Sequence, residues 1–344
     1  MFAIPTPTPP EQQIRTVQVS EVEYRKLAID PPVMKLPPVK IHPPSGTFAT
    51  YIVTDRNGKV RDCKFIISNN MSIAEDATEL VKQWHFKPFV VDGVPVQVGT
   101  TMTFTYNTEI VGEQAKFQAP HEYFNRGREL TYPRTLGSPA FHMEGTFQGT
   151  GDFASYQGSY QETWIAPDRW RRQIKIGDKS VMETRIGVDR YQQAVDKNIA
   201  EVVRKVLGLF CADFPGYAYR TPDTDWSMAE VEFQKTKVTR VATSHTDDDG
   251  NTNYPRAYYF DEKGLLRARS NFLSWPDSHP ETVTYDEFAE FAGKQVPRRV
   301  DSELDGVHIF AAHINVLEPT QSAPHSFFIL PGITPTNWGG DIPW

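Results

Sequence analysis

Only two cysteines occur in 344 residues, Cys63 and Cys211, and neither stands in a CxxC pair or beside histidines at ligand spacing. A zinc cluster and a redox dithiol are therefore excluded as the basis of function. Both cysteines lie in apolar surroundings, which reads as two small buried hydrophobes rather than a disulfide and leaves the redox compartment open. Long apolar runs are missing as well, since no window approaches the roughly 18 uninterrupted apolar residues of a membrane helix. Positive charge is scattered rather than gathered: the net charge is −7, and the only dense basic cluster is RWRR at 169–172. A nucleic-acid surface needs a local positive excess, so nucleic acid is excluded as the main partner.

Enzyme signatures are also lacking. There is no GxSxG, HExxH, phosphate-binding loop, or GxGxxG between a strand and a helix. GTFQGTG and GDFASYQG are glycine-rich but lie in a strand meander, with no helix N-terminus to receive a phosphate. His308 and His313, five apart on a strand, point to opposite faces and do not chelate one metal. Asp247, Asp248 and Asp249 before Gly250 resemble part of a calcium loop but lack its bidentate glutamate, and read as a solvated turn. Carboxylate pairs such as Glu287 with Glu290, or Asp223 with Asp225, are ordinary in a chain with 43 acidic residues. No catalytic residue, metal site or cofactor is assigned.

What is present begins with length: 344 residues suffice for about two domains, each burying its own core. The opening MFAIPTPTPPEQQ has no basic segment followed by an apolar one, so no export signal is visible. Residues 1–14 read as a disordered or Pro-rich lead-in, or as the trimmed end of a longer chain whose export signal or anchor has been removed. DPPVMKLPPVKIHPP at 30–44 is too rich in proline for a helix or a sheet interior.

Residues 47–54 read as a strand, DRNG at 55–58 as a hairpin turn and 60–67 as the returning strand. Ser72 with Glu75 forms a capping box for a helix whose apolar face is Ile73, Ala77, Leu80, Val81 and Trp84. That helix ends near Trp84, because Pro88 pushes the residue before it out of helical geometry. From Val96 to Tyr106 apolar and polar residues alternate, as in a strand with one buried face. The result is a three-stranded antiparallel sheet covered by one helix, an α+β unit.

These residues carry a resemblance. The ordered set DxxGKV (Asp55, Gly58, Lys59, Val60), WxFxP (Trp84, Phe86, Pro88) and DGxPV (Asp92, Gly93, Pro95, Val96) resembles the C-terminal domain of TonB, the energy transducer of the Gram-negative envelope, over about residues 15–107. The resemblance implies a location in the periplasm or cell envelope. It also implies that the third strand is a sheet edge on which a partner segment, the TonB box of an outer-membrane receptor, adds as a further strand. The residues of that edge are Val98, Thr100, Thr101, Met102, Thr103, Phe104 and Thr105. The alternative is an edge covered by the joining segment at 109–135. Asp55, Gly58, Trp84, Phe86, Pro88, Gly93 and Pro95 are mainly structural, the aromatics closing the core under the helix.

Residues 108–137 show little periodicity and read as a linker. From 138 to 333 short alternating runs separated by Gly, Asp and Pro turns read as a large antiparallel meander, with strands at 231–244, 256–260, 265–272, 281–291 and 307–316. One amphipathic helix, capped by Asp196, presents Ile199, Val202, Val203, Val206, Leu207 and Phe210 on one face. Residues 334–344 form a tail. The order YQETWIAPDRWR, YYFDEKGLLRAR, TYDEFAEFAGKQVPRRV and FFILPG is similar to the LolA/LolB-like lipoprotein-carrier superfamily. That similarity implies a curved half-barrel with a helical cover that holds acyl chains. Phe147, Trp164, Trp170, Val203, Leu207 and Phe210 are then the candidate lining of an apolar cavity; a packed core is the alternative.

Three functions stay open on these grounds. The first is a non-enzymatic envelope protein that recognises a receptor peptide or another envelope protein by strand addition and binds a lipid, lipoprotein or other apolar ligand. The second is a periplasmic scaffolding module with no small ligand. The third is an enzyme of unrecognised type.

Overall fold

The DRNG turn forms as its chemistry dictates. One Asp55 carboxylate oxygen accepts the backbone N–H groups of Asn57 and Lys59, and the other accepts the Arg61 guanidinium. Gly58 stands at φ +81°, where a Cβ would lie 1.9 Å from the Phe86 carbonyl oxygen. In turn the Phe86 N–H donates to the Gly58 carbonyl at 2.9 Å, so the hairpin is stitched to the segment that leaves the helix. Gly58→Ala is expected to cost at least about 1 to 3 kcal/mol, the usual penalty of a non-glycine residue in this region before any clash. Urea denaturation checks this, and a loss under about 0.5 kcal/mol contradicts the stitched turn.

This computed structural model describes residues 16–29, 34–38, 45–68, 73–109, 115–211, 225–246, 252–272 and 280–337. Its first unit contains β1 (Thr16–Gln18), α1 (Glu21–Arg25), β2 (Ser45–Thr54), β3 (Val60–Ser68), α2 (Ala74–Val81) and β4 (Gln97–Asn107). The sheet has four strands rather than three, in the order β1-β4-β2-β3, because a segment before the Pro-rich stretch returns to pair with β4. That extra pairing is parallel, whereas β2 pairs antiparallel with both neighbours. One face of the sheet buries Phe48, Ile52, Met102 and Phe104 against Ala77 and Val81 of α2. Ser72 of the expected capping box lies outside the described residues; α2 begins after Ile73 without a side-chain cap.

The second unit opens with α3 (Ala115–Thr131), a helix where the sequence suggested an irregular linker. Its local signal is weak, and Pro120 lies inside it. Tertiary burial outweighs both: Phe124 packs edge-on against Tyr258 and Phe260 at ring distances of 5.0 and 5.9 Å. Next along the chain are β5 (Phe141–Gly149), β6 (Gln157–Ala166), β7 (Arg169–Ile176), β8 (Lys179–Ile186) and β9 (Asp189–Gln192). After α4 (Ala200–Cys211) come β10 (Asp225–Phe233), β11 (Thr236–Thr246), β12 (Thr252–Phe260), β13 (Leu266–Phe272) and β14 (Pro280–Asp286). The last strands are β15 (Arg299–Leu304), β16 (Val307–Pro319) and β17 (Thr336–Asn337).

All thirteen strands join one open sheet in the order β10-β11-β12-β13-β14-β15-β16-β5-β6-β7-β8-β9-β17. The protein is thus α+β, with a large open sheet. Two expected strands are interrupted. The run at 231–244 is the end of β10 and most of β11, because Gln234 and Lys235 take positive φ in a two-residue turn. The run at 281–291 breaks at Glu287, at φ +52°. Asp223 and Asp247 to Asp249 lie outside the described residues.

The two units touch. Ala49, Tyr51 and Ile66 on the open face of the small sheet pack with Leu136 and Val188. Gly187, at φ +57°, leaves room for the Tyr51 ring, since a Cβ there would meet it at 2.5 Å. The Thr101 hydroxyl donates to Asp168 in the turn between β6 and β7. Among the described residues no helix is long and apolar enough to cross a membrane.

Candidate functional site

β4 is built as its alternation predicted. Val98, Met102 and Phe104 point into the core, Thr100 is buried, and Thr101 faces the second unit through Asp168. Successive residues bond sideways in opposite directions along a strand. The outward backbone groups of β4 fall at odd positions, and the chain itself takes up several of them. β1 runs parallel to β4 with Thr16, Val17 and Gln18 opposite Gln97, Val98 and Gly99. The Val19 N–H donates to the Gly99 carbonyl at 3.2 Å. At Thr103 side chains replace a strand: the backbone N–H donates to the Glu21 carboxylate at 3.0 Å, and the Arg25 guanidinium donates to the carbonyl. Asn107 donates to Met34 and accepts from Leu36 at 3.3 and 3.1 Å.

The edge anticipated as open is therefore partly covered, and by residues 16–25 with Met34 and Leu36 rather than by the joining segment at 109–135. The lead-in is anchored by Tyr24, which is fully buried, stacks on Phe86 at 4.6 Å and hydrogen-bonds Thr54 through its hydroxyl. Nothing local in VSEVEYRK announces this role, because its partners lie 30 and more residues away. The opposite edge, β3, has register breaks near both ends and carries Arg61, Asp62 and Lys64. Bulges and charge of this kind discourage further strand pairing.

Of the motif residues, Trp84 and Phe86 lie beneath this sheet. Trp84 meets Phe104 edge-on at 5.0 Å and Phe86 at 6.0 Å, inside the core. Asp92 and Gly93, at φ 52° and 79°, make the two-residue turn that pairs Val90 with Pro95. Pro88, Gly93 and Pro95 are exposed. Burial pushes the Cys63 thiol up to about 12, and both cysteines are free and buried.

The candidate cavity lining is also brought together, as packing. Phe147, Trp164, Trp170, Val203 and Phe210 are buried in one cluster, and Leu207 packs partly buried against it. Phe210 of α4 stacks flat on Tyr160 at 4.4 Å, and Gly145 makes room for it, since a Cβ there would lie 2.4 Å from that ring. Polar contacts pin the other side of α4: Lys205 pairs with Glu281 at 3.5 Å, and Arg269 donates to the Gly208 carbonyl at 2.9 Å. α4 thus packs its apolar side on one face of the large sheet.

Sequence reasoning overlooked the charges in this core. Glu162 is fully buried; Arg134 donates to both its carboxylate oxygens through Nε at 3.0 Å, Arg172 donates at 3.0 Å, and the Tyr160 hydroxyl donates at 3.0 Å. Burial pushes the Glu162 carboxyl up, but the two guanidiniums outweigh it and hold the group at about 2. Tyr160, Glu162 and Trp164 alternate along β6, so a carboxylate on an aromatic face was the available signal that a buried partner exists. Arg172 belongs to RWRR, and Arg171 donates to the Phe327 carbonyl at 2.8 Å, so these two cations of the cluster are engaged within the fold.

An open depression of about 670 Å³ is lined by Thr146, Phe147, Gln148, Glu287, Arg299 and His313 among others, so Phe147 of the candidate lining also borders it. A register break at Ile309 disturbs the alternation expected between the two histidines. Each has its own carboxylate, His308 with Asp301 and His313 with Glu287, both at 3.3 Å. Among the described residues no cluster of three or more His, Cys, Asp or Glu is arranged to hold a metal.

Residues 44–108 match the family described as Gram-negative bacterial TonB protein C-terminal. The chain is accordingly an α+β protein in which a TonB C-terminal-type unit precedes a large open antiparallel sheet. Among solved structures it is similar to a LolA superfamily protein from Nitrosomonas europaea, at 11% identity over 61% of this chain and 97% of that one, with a TM-score of 0.41. It is also similar to a DUF1329 family protein from Desulfovibrio piger, at 10% identity over 63% and 98%, TM-score 0.31. A third is the MucA/MucB complex of Pseudomonas aeruginosa, at 12% identity over 59% and 100%, TM-score 0.19. No curated protein matches the chain.

Proposed function

We propose that this chain is a non-enzymatic binding protein of the Gram-negative envelope, facing the periplasm. Its TonB C-terminal-type unit recognises the extended segment of an envelope partner by strand addition along β4. What supports this reading is the family match at 44–108 together with a strand of eleven residues whose outer side is held by a three-residue parallel strand, single backbone bonds from Val19, Met34 and Leu36, and the side chains of Glu21 and Arg25. Backbone bonds would supply the affinity and alternating side chains the register. Titrating a TonB-box peptide of an outer-membrane receptor into the full chain to millimolar concentration, by calorimetry and amide chemical shifts, is expected to perturb Gln97 to Thr105 first. Perturbation confined to the second unit, or no heat at all, rejects the reading.

For the large sheet we infer a scaffold rather than a lipid carrier. What supports this is α4, which packs its apolar side on the sheet and is pinned by Lys205 and Arg269. Mass spectrometry of the purified protein under native conditions is expected to show the polypeptide alone. A stoichiometric co-purified lipid or lipoprotein would favour the carrier.

A further inference from the structure

The depression on the large sheet is built from the adjacent strands β15, β16, β5 and β6, and strand alternation gives it two kinds of surface. Phe147, Ala311 and Ala312 are its buried or half-buried members, and they make an apolar floor. Thr146, Gln148, Gln157 and His313 are exposed and make a polar rim. Pairing sets His313 beside Thr146, Ala311 beside Gln148, and Gln148 beside Gln157. The charges at this rim are paired off. Arg299 donates to both carboxylate oxygens of Asp301, through Nε at 2.7 Å and Nη2 at 3.4 Å, and His313 lies 3.3 Å from the Glu287 carboxylate.

What the rim leaves free is neutral and both donates and accepts. The Gln148 amide donates to the Gly149 and Ala154 carbonyls at 3.0 and 3.3 Å, which fixes the side chain and leaves its carbonyl oxygen as an acceptor. The Thr146 hydroxyl accepts from the Asn315 amide at 3.4 Å and keeps its proton to donate. Gln157, whose side chain bonds no other described residue, offers both. An anionic ligand meets two carboxylates here and no cation without one, and an acyl chain would strip water from these amides and hydroxyls without replacing it. A sugar ring matches both surfaces, with a face of C–H groups and a rim of hydroxyls that donate and accept. We propose that the depression binds a neutral glycan, its C–H face resting on Ala311 and its hydroxyls bonded to Thr146, Gln148 and Gln157. The volume, about 670 Å³, lies in the range of small-ligand sites and holds a short stretch of such a polymer. A repeating polymer offers many copies of that stretch, so a weak open site suffices to hold the chain on it. This inference does not depend on strand addition at β4.

The test uses the full chain and two defined probes, followed by saturation-transfer NMR and calorimetry. Tetra-N-acetylchitotetraose carries the N-acetylated chemistry of a cell-wall glycan, and maltotetraose the plain hexose chemistry of a surface polysaccharide. Saturable binding of at least one is expected at millimolar concentration. The one that binds distinguishes the two sources, and binding of both places recognition on the hydroxyls they share. Excess inorganic phosphate is expected to leave the binding unchanged. Gln157→Ala, on the exposed rim, is expected to weaken it at least about threefold, the share of one neutral hydrogen bond. Ala311→Phe, which raises the floor, is expected to abolish it, and both variants to melt as the wild type does. The proposal is overturned if neither sugar binds saturably, if both variants bind as the wild type does, or if phosphate displaces the sugar. Displacement by a TonB-box peptide overturns it too, since the face is then a protein surface. If Ala311→Phe does not fold, Gln157→Ala decides the question alone.

Discussion

Replacing Glu162 by alanine is expected to destabilise the second unit by roughly 3 to 5 kcal/mol, because two buried guanidiniums lose the carboxylate that neutralises them. Arg134 and Arg172 both bond Glu162 inside the core, and both are largely buried. Thermal unfolding is expected to fall by about 6 to 20 °C, at 2 to 4 °C per kcal/mol for a unit of this size. A fall under about 3 °C means that the network contributes little. Replacing all three charged residues by apolar ones of similar volume is expected to be far milder, since no unpaired charge remains.

The same group sets a pH dependence. Its folded value, about 2, lies below the ordinary 4.5, so the ionised form favours the native state. The resulting stabilisation, on the order of 3 kcal/mol, is fully present above about pH 4.5 and disappears as the pH falls toward 2. Stability measured between pH 7 and 5 is therefore expected to show no loss from this group, and acid unfolding to steepen below pH 4.5. In the Glu162→Gln variant that steepening is expected to diminish.

Trp84→Ala is the second large effect, expected to cost roughly 3 to 5 kcal/mol and to unfold the first unit. The indole is buried between Phe86 and Phe104, and removing it opens a void under α2 that none of its neighbours is free to fill. Far-UV circular dichroism and a denaturant melt check this, and a loss under about 1 kcal/mol would end the core assignment. If strand addition is the function, this variant loses partner binding through unfolding, whereas Gln97→Ala, at the half-buried start of the β4 edge, is expected to leave the fold intact and affect binding alone.

Both effects mark the limit of what sequence pattern conveys. The hairpin at Asp55 and Gly58, the alternation of β4 and the aromatics around Trp84 were legible because each is a local rule: a turn residue, a period of two, a proline after a helix. The receiving edge was legible as a strand but not as a covered one. Its cover comes from Thr16 to Gln18 and from Glu21 and Arg25, which meet β4 only through contacts spanning about 80 residues. α3 escaped for a related reason, since a helix with a proline and a weak apolar stripe exists only because Phe124 finds Tyr258 and Phe260.

By itself the sequence determined the class of elements: an α+β chain, strands in hairpins, an apolar helix from Ile199 to Phe210, no metal or catalytic motif, and motif residues that name a TonB C-terminal-type unit. Tertiary structure alone decided which segments pack against the β4 edge and against the large sheet. Whether an edge is bare and whether a concave face is hollow depend on which distant segment comes to lie there. That choice is made by the burial of Tyr24 in one unit and of Phe210 in the other, not by any rule acting within a few residues along the chain.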